Sequence, residues 1–512
     1  MQKFKPLLFY LTFFIFVFAF CLSASNYDYD LWARLIVGKH FFQTLSVMKT
    51  DIVSYIPTDV WYDHEWGSGV IFYFFQHLFS YKGLLFLQVS MICAIYFLIS
   101  KIILLRNPKS SPYNILFYIC SYFAIIQVTS QPVRCQLFSF LFFTVFIYIF
   151  EYSRKNDKSK LLWLLPFLMI IWNNLHGGCV SGLGLFVFYI VGEFLNKRPI
   201  KHYVLPFLFS IFVLLINPWG VNYLKYLLSA VTMPRPDIIE WHDLFNPLFV
   251  NRYLEFKLFA LIVFSTGVFN FIKTFKKEKI DAVKYILIFA TLYLAIKHVK
   301  HIPFAVIVLS IFLYDDFYAV FNLITGEVFL KRCWAVLKNI VIYSLILTYL
   351  IFAAPFNNIE PFLNWDKYPI RIVEFIRINN LKGNILTSFG QGSFVSYKLY
   401  PHNKIYMDGR YEELYFKEDF DNLQNFLMVK NDWQALMKKY PPDIMILEKE
   451  LPVCKILLID PNWNVAFDDN NFYLFLKTNP KNLIESSRNL LYYRKHLFDT
   501  DINFVINWPW NG

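Results

Sequence analysis

Charged residues are scarce in this chain of 512 residues, since Asp, Glu, Lys and Arg together make up only 17%. A typical globular chain has about 25%. Hydrophobic residues reach 57% and aromatic residues 21%, including 58 Phe and 34 Tyr. This is more apolar surface than one soluble core encloses, which excludes a disordered, fibrous or ordinary cytosolic protein. The sequence therefore predicts an integral membrane protein.

Motifs for metals, disulfides and nucleotides are also missing. The seven Cys are scattered without a Cys-x-x-Cys pair or a His-rich partner, so neither a zinc site nor a disulfide framework is indicated. No P-loop or Gly-x-Gly-x-x-Gly occurs, which disfavours a nucleotide-driven motor. The net charge is +12, but residues 1–354 hold 31 basic and 18 acidic residues while residues 355–512 hold 18 and 19. This distribution predicts no basic domain and no nucleic-acid partner.

Apolar runs predict an α-helical polytopic protein with about eleven transmembrane helices, because a span needs about 20 mostly apolar residues. The runs lie near 6–24, 83–100, 113–128, 136–152, 161–172, 180–195, 204–216, 258–272, 285–296, 302–314 and 339–354. The first run could instead be a cleaved signal peptide, because Lys3 and Lys5 precede it and small residues end it.

The loops between these runs predict the orientation. With a cytoplasmic N-terminus, the inner loops hold 20 Lys or Arg in 69 residues and the outer loops hold 11 in 118. This asymmetry has the sign of the positive-inside rule and predicts a multi-pass membrane protein with a cytoplasmic N-terminus. The chain is expected to form a transmembrane domain over 1–354, with a first outer loop at 25–82, and an extracytoplasmic α/β domain over 355–512.

The C-terminal segment alternates between helical and strand patterns. A helix is predicted at 369–379 and helical structure at 419–439. Strands are predicted at 384–389, 404–407 and 444–447, and a hairpin at 464–467 and 472–476 around Asp468-Asp469-Asn470-Asn471.

With this topology, the unusual polar residues fall on the outer side, where ionisable groups at a membrane boundary indicate a site. They are Asp28, Asp30, His64, Glu65, Arg134, Asn174, His176, Glu240, Trp241, Lys297, Lys300 and His301. Several have ordinary explanations, such as solvated loop acids, an Asp30–Arg34 pair or aromatic anchors. Lys297 and Lys300 are harder to explain, because they violate the positive-inside trend in a five-residue loop with two histidines.

Acids in the first outer loop and cations in a later one suit one reaction class. A sugar on a polyprenyl phosphate keeps its tail in the bilayer and its phosphate at the interface. Transfer needs a carboxylate that takes the proton of the acceptor hydroxyl, and positive charge or a metal on the departing phosphate.

At these residues the chain resembles the GT-C superfamily of integral membrane glycosyltransferases, and more closely its bacterial branch related to dolichyl-phosphate-mannose protein mannosyltransferases. The similar segments are Asp30-Leu31-Trp32 with Gly38, Thr50-Asp51-Ile52-Val53-Ser54-Tyr55, His64-Glu65-Trp66, Arg134-Cys135-Gln136-Leu137-Phe138-Ser139, Asn174-Leu175-His176-Gly177-Gly178, Asn217-Pro218-Trp219-Gly220, Glu240-Trp241, Lys300-His301-Ile302-Pro303-Phe304 and Asp408-Gly409-Arg410.

The resemblance implies a lipid-phosphate-linked sugar donor, inversion at the anomeric carbon and a catalytic acid in the first outer loop, with Asp30 first and Asp28 second. The chain departs from the branch in two places. Ala33-Arg34 stands where the branch has Trp-His, and Cys135 replaces the Pro of an Arg-Pro-Gln turn. No Trp-Trp-Asp occurs, which disfavours asparagine glycosylation.

The sequence therefore predicts a glycosyltransferase with Asp30 as general base and Asp28, His64 and Glu65 beside it. Arg134, Lys297, Lys300 and His301 would bind the donor phosphate, while Asn174, His176, Glu240 and Trp241 line the cavity. Asp28, Asp30, His64 and Glu65 would bind Mg²⁺ or Mn²⁺ if they converge. The acceptor is a glycan, lipid or protein. The alternatives are an O-antigen polymerase or ligase, and a membrane transporter, which places ionisable groups near the midplane.

Overall fold

The computed structural model of the protein describes residues 5–24, 27–129, 133–156, 159–233, 235, 238–274, 280–324, 367–410, 414–477 and 483. These residues belong to two compact units. We call them the helical unit (1–26, 64–68 and 84–358) and the mixed unit (27–63, 69–83 and 359–512). The predicted domain boundary between residues 354 and 355 lies outside the described residues and stays a prediction.

Apolar helices dominate the first 324 residues. They are α1 Lys5–Ala24, α2 Tyr29–Thr44, α3 Trp66–Arg106, α4 Ile115–Thr129, α5 Gln136–Asn156, α6 Leu164–Leu175, α7 Val180–Leu195, α8 Lys201–Phe212, α9 Val221–Thr232, α10 Leu254–Thr274, α11 Ala282–Lys297, α12 Ile302–Phe312 and α13 Tyr314–Ile324. Of these, α2 belongs to the mixed unit and α3 has residues in both units. In an α-helix the backbone N–H and C=O groups form hydrogen bonds within the same segment, which a bilayer requires because it offers no water to bind them.

The described residues contain fewer helices of membrane-spanning length than the sequence predicts. Among the described residues, four helices are long and apolar enough, or five if α12 and α13, bent by 65°, count as one span. The prediction of about eleven spans is therefore wrong for this part of the chain. Four predicted spans fall on apolar helices of only 10–17 residues, short of the ~20 that a span needs. The predicted span at 339–354 lies outside the described residues.

A charged network ties together one end of several helices in the helical unit. Arg154 donates to Glu151 and Glu193 at 2.7 Å each and to Asp281 at 2.9 Å. Arg106 also pairs with Glu151. Because these side chains come from α3, α5, α7 and the start of α11, the network fixes the register of four helices. Removing one partner from such a buried network costs about 3–5 kcal/mol.

The mixed unit contains a five-stranded sheet in the order β2-β1-β3-β5-β4. Its strands are β1 Gly383–Thr387, β2 Asn403–Ile405, β3 Ile444–Glu448, β4 Asn464–Asp468 and β5 Phe472–Leu476. β1 pairs in parallel with β2 and β3, whereas β5 runs antiparallel to β3 and β4. The helices of this part of the chain are α14 Ile370–Ile378, α15 Phe389–Leu399, α16 Lys417–Met428, α17 Ala435–Lys439 and α18 Pro452–Leu457.

The sequence locates most of these elements correctly. The predicted hairpin at 464–476 and the strand at 444–447 are confirmed, and the helix at 369–379 corresponds to α14. The predicted strand at 384–389 is wrong at its end, because Phe389 already begins α15. Helix α15 is not predicted, since its Gly390 and Gly392 disfavour a helix. Packing against α2 stabilises it: Phe394 and Tyr397 contact Trp32, with ring centroids 5.1 and 5.3 Å apart.

The segment after α2 extends the sheet of the mixed unit. Ile405 of the edge strand β2 donates its N–H to Val53 at 2.9 Å, and Tyr55 donates to Ile405 at 3.0 Å. Edge strands present unpaired N–H and C=O groups that another segment can satisfy. Residues 53–55, far from the sheet in the sequence, are thereby held at its edge.

Candidate functional site

A chain of hydrogen bonds in the helical unit fixes the protonation of His176. Trp172 donates its indole N–H to Ser139 Oγ at 2.7 Å, and Ser139 Oγ lies 2.6 Å from His176 Nδ1. The backbone N–H of Gly178 donates to the same nitrogen at 3.0 Å. Since Nδ1 accepts, the proton of the neutral imidazole is on Nε2. His176 Nε2 lies 3.3 Å from Glu65 Oε1, so this proton points at a carboxylate.

Glu65 lies between two histidines. Its Oε1 is 3.3 Å from His176 Nε2 and 3.5 Å from His64 Nε2. The other ring nitrogen of His64 contacts the Tyr226 hydroxyl at 3.2 Å. The structure thus brings His176 to the adjacent pair His64-Glu65, and adds Ser139 and Tyr226 as groups that orient them.

The pKa of His176 is lowered to about 4. Burial lowers it most, the charge of Glu65 raises it in opposition, and His64, Lys300 and Arg134 contribute smaller decreases. The imidazole binds a proton near pH 6.5 in the unfolded chain but not in the folded chain. The contribution of His176 to the free energy of unfolding is therefore fully present above pH 6.5 and is lost as the pH falls towards 4. The contribution of this group is at most about 3 kcal/mol. We expect His176→Asn, which keeps an acceptor for Gly178, to flatten this part of the dependence of Tm on pH. An unchanged pH profile would show that His176 is not held neutral.

Two glycines allow the histidines to approach their neighbours. A Cβ on Gly177 would lie 2.8 Å from His64 Cδ2, and a Cβ on Gly178 would lie 2.4 Å from Ser139 Oγ and 2.6 Å from His176 Nδ1. We expect Gly178→Ala to destabilise the protein by about 1–3 kcal/mol, as overpacking does, and to lower activity about tenfold. A lower Tm checks the first effect. Gly184→Ala is the matched control, because nothing lies within 4 Å of its Cβ; equal Tm values for the two variants would contradict the prediction.

Two cations, Lys300 and Arg235, and two imidazoles surround Trp241 in the same unit. Lys300 Nζ lies 3.1 Å and the Arg235 guanidinium 4.5 Å from the centroid of the indole ring. His298 and His301 contact the ring edge-on, with centroids 5.1 and 6.2 Å away. His298 Nδ1 is also hydrogen-bonded to the Trp241 carbonyl. Cation–π contacts hold these charges at fixed positions.

The structure places the other predicted phosphate-binding and cavity residues of this unit in different environments. Arg134 pairs with the carboxylate of Glu240, the residue before Trp241. Asn174 is structural, since its Oδ1 accepts from Trp66 at 3.0 Å and its Nδ2 donates to Ile216 at 2.9 Å. Lys297 ends α11 and its side chain is exposed. The sequence does not identify Arg235 as part of this cluster.

Carboxylates of the mixed unit gather at the start of α2. Asp28 is buried at the N-cap position, and Asp30 is exposed in the first turn, where a negative charge is favourable. A Cβ on Gly409 would lie 3.0 Å from Asp30 Oδ1. Burial lowers the pKa of the nearby Lys367, while Asp28 and Asp30 raise it in opposition. Lys367 also lies 4.1 Å above the ring of Tyr29.

A second group of charges anchors this segment from within the same unit. Arg410 donates to Asp51 and to Asp408 at 2.8 Å each, and its side chain is 3% exposed. Burial alone would raise the pKa of Asp51, but the Arg410 guanidinium and the hydroxyl of Ser54 outweigh it and hold that pKa below its usual range. Tyr415 lies 2.7 Å from Ser54 and 3.3 Å from Asp408. These contacts are positional rather than catalytic.

Metal binding finds no support in the side-chain arrangement. Within the described ranges, no group of three or more His, Cys, Asp or Glu is placed to hold a metal ion. The carboxylate of Glu65 is instead occupied by His64 and His176. The predicted divalent ion therefore stays a prediction, and no step below depends on it.

Comparison with known proteins gives information on the fold. No protein-family model and no curated protein matches the chain. Among solved structures, the archaeal oligosaccharyltransferase AglB from Archaeoglobus fulgidus, in complex with an inhibitory peptide and a dolichol-phosphate, matches with a TM-score of 0.57 and 10% sequence identity. The match covers 88% of this chain and 70% of that chain. The chain is thus similar in fold to this archaeal oligosaccharyltransferase, whereas the protein mannosyltransferase branch stays a prediction.

Proposed function

We propose that this protein is an integral membrane glycosyltransferase that moves a sugar from a polyprenyl-phosphate-linked donor to an acceptor hydroxyl. The observation that carries the proposal is the cation cluster around Trp241, formed by Lys300 and Arg235 on the ring, with the imidazoles of His298 and His301 beside it. It lies in the unit that contains the apolar helices. A membrane protein that holds cations on a rigid aromatic side chain is suited to a lipid phosphate.

The fold comparison supports the same chemistry. The AglB structure contains a dolichol-phosphate and an inhibitory peptide, which are a lipid phosphate and a mimic of an acceptor. We propose that this chain also binds a lipid phosphate, as part of its donor, and we do not assign the acceptor from this comparison. Arg134, Lys297, Lys300 and His301 are proposed to bind the donor phosphate, with Arg235 as an addition from the geometry.

Asp30 is proposed as the general base, with Asp28 as the second choice. Its carboxylate takes the proton of the acceptor hydroxyl while the hydroxyl oxygen attacks the anomeric carbon. The bond from that carbon to the phosphate oxygen breaks, and the polyprenyl phosphate leaves with the electron pair. A single displacement of this kind inverts the anomeric configuration. Neutral His176 and the Glu65 carboxylate are proposed to position His64 in the substrate cavity.

We also propose a location for the reaction: a bacterial inner membrane, as the family resemblance implies, with a cytoplasmic N-terminus and a C-terminal α/β domain on the extracytoplasmic side. The support for the orientation is the excess of Lys and Arg in one alternate set of loops between the eleven apolar runs of the sequence, of which four or five have spanning length among the described residues. On that side no nucleotide sugar is available, so a lipid-linked sugar is the suitable donor.

Mass spectrometry of lipid-linked sugars and surface glycans, with and without the protein, tests the proposal. Loss of the protein should lead to accumulation of one polyprenyl-phospho-sugar and to a surface glycan that lacks that sugar. Accumulation of a polyprenyl pyrophosphate-linked oligosaccharide would favour the polymerase or ligase. Unchanged lipids and glycans, together with a defect in solute uptake, would favour a transporter.

A further inference from the structure

The strand order of the sheet in the mixed unit reverses direction between β1 and β3, and we call the edge outside the carboxyl ends of these two strands the crevice. The chain leaves β1 through α15 to reach β2 on one side, and later returns to form β3 on the other side. Ligands of open α/β sheets bind at such a switch point, outside the carboxyl ends of the strands. Here these ends are followed by Ser388 and Gln391 after β1, and β3 ends at Glu448.

Two oxygen atoms at this crevice are buried without a hydrogen-bond partner among the described residues. One is Oε1 of Gln391, a side chain that is only 3% exposed, and the other is Oε2 of Glu448. The rest of each side chain is fixed: Ser388 Oγ donates to Glu448 Oε1 at 2.6 Å, and Gln391 Nε2 donates to the Lys367 carbonyl at 2.7 Å. A buried acceptor without a partner is unfavourable, so a ligand that donates to both atoms is favoured.

The start of α2 lies at the same edge of the sheet, within the same unit. A Cβ on Gly390, the second residue of α15, would lie 3.3 Å from the ring of Tyr29. Burial raises the pKa of Tyr29, the charges of Glu448 and Asp28 raise it further, and a side-chain hydrogen bond with Gln391 lowers it. The Tyr29 hydroxyl is therefore close to both Glu448 and Gln391. Asp30, the proposed base, is the next residue.

We propose that Gln391 and Glu448 bind neighbouring hydroxyls of a saccharide acceptor, and so present a further hydroxyl to Asp30. The inference rests on the proposed function and names its acceptor class. It assigns Gln391 and Glu448 to substrate binding, and Ser388 to positioning Glu448.

The charge of the crevice argues against a phosphate at this position. Asp28, Asp30 and Glu448 surround it with three carboxylates, and Lys367 contributes one positive charge beside the first two. An anion is repelled here, whereas a neutral polyol is not.

The two hydrogen-bond acceptors, Gln391 and Glu448, favour a sugar over a Ser or Thr side chain as the substrate that receives the transferred group. A single side-chain hydroxyl has one proton to donate, and transfer to Asp30 uses it. A sugar ring presents several hydroxyls, so two can donate to Gln391 and Glu448 while a third reacts. A polar site built for hydroxyl groups also rejects analogues that lack them.

Steady-state kinetics of the full-length protein in lipid nanodiscs tests the inference. The donor is a synthetic short-chain polyprenyl-phospho-hexose, and the acceptors are methyl glycosides of mannose, glucose, galactose and N-acetylglucosamine. Glu448→Gln should raise KM for the preferred glycoside about 10- to 100-fold, the worth of a charged hydrogen bond, with kcat changed less than about threefold. Glu450→Gln, an exposed carboxylate two residues away, is the matched control and should match the wild type.

Direct binding separates the inference from the proposed function. Saturation-transfer NMR should detect the neutral glycoside on the wild type and on Glu450→Gln, weaker binding to Glu448→Gln, and no binding of a methyl glucuronide. If Glu448→Gln does not fold, Glu448→Asp, which keeps the charge but withdraws it by one methylene, should give an intermediate KM.

Equal glycoside binding and equal KM for Glu448→Gln and Glu450→Gln would overturn the inference alone. Sugar transfer to a Ser/Thr peptide pool but to none of the glycosides would also overturn it, while the proposed function would stand. If the wild type binds glycosides through Glu448 but neither transfers sugar nor hydrolyses the donor, the proposed function is overturned. The assignment of Gln391 and Glu448 as a saccharide-binding site would then still stand.

Discussion

Asp30→Asn is expected to abolish sugar transfer, with kcat lower by about 10³- to 10⁴-fold, the upper range for loss of a general base. The amide has the shape of the carboxylate but does not accept the proton of the acceptor hydroxyl. Asp30 is exposed in the first turn of α2, so the substitution removes no buried charge and the protein should fold. The measurement is transfer from a purified polyprenyl-phospho-sugar.

Two comparisons make this prediction specific. Asp59→Asn replaces another exposed acid of the same loop and should keep full activity. Asp28→Asn should lower activity less than Asp30→Asn, because Asp28 is buried at the N-cap of α2. If Asp30→Asn is fully active and Asp28→Asn is inactive, the two roles must be exchanged; full activity of both would refute a base in this loop.

Lys300→Gln is expected to lower kcat/KM for the donor by about 10²- to 10³-fold, the usual cost of removing one group that stabilises developing negative charge. The glutamine keeps much of the aliphatic stem but loses the ammonium group that lies 3.1 Å from the Trp241 ring centroid. The effect should appear with every acceptor, because the donor phosphate is common to all of them.

Lys225→Gln controls for a general loss of positive charge, since Lys225 is an exposed residue of α9 in the same unit. It should leave kcat/KM within about twofold of the wild-type value. Lys300→Arg should recover part of the activity, because it restores the charge with a different geometry. A Lys300→Gln variant with unchanged donor kinetics would show that the cation cluster serves the bilayer and not the substrate.

The sequence predicts the sheet of the mixed unit well because its signals are local. The apolar segment Ile444–Glu448 and the hairpin strands Asn464–Asp468 and Phe472–Leu476 are short, apolar and bounded by turn residues. Helix α15 escapes prediction because its stability comes from Trp32, more than 350 residues earlier, and not from its own glycines.

The candidate site is predicted only in part for a similar reason. His64, Glu65 and His176 stand out one by one, since polar residues are rare in this chain. Their junction at the Glu65 carboxylate depends on α6 and α7 meeting at Gly177 and Gly178, which no local pattern reveals. Glu448 and Lys367 are ordinary surface-type residues in the sequence, and only the fold places them near Asp28 and Tyr29.

The number of spans shows the limit of hydropathy alone. Apolar composition identifies a membrane protein, but α4 and α6 are apolar segments of only 15 and 12 residues. Such lengths rise about 18–23 Å, less than the ~30 Å hydrocarbon core. Length and bending have to be read from the structure, as the 65° bend between α12 and α13 shows.

Turnover of a defined donor by the purified, full-length protein in proteoliposomes tests the central claim most directly. We predict that each sugar transferred to an acceptor releases one molecule of polyprenyl monophosphate, with inverted anomeric configuration in the product and no nucleotide required. Movement of solute or lipid across the vesicle membrane without breakage of the sugar–phosphate bond, or release of a pyrophosphate, would contradict the account.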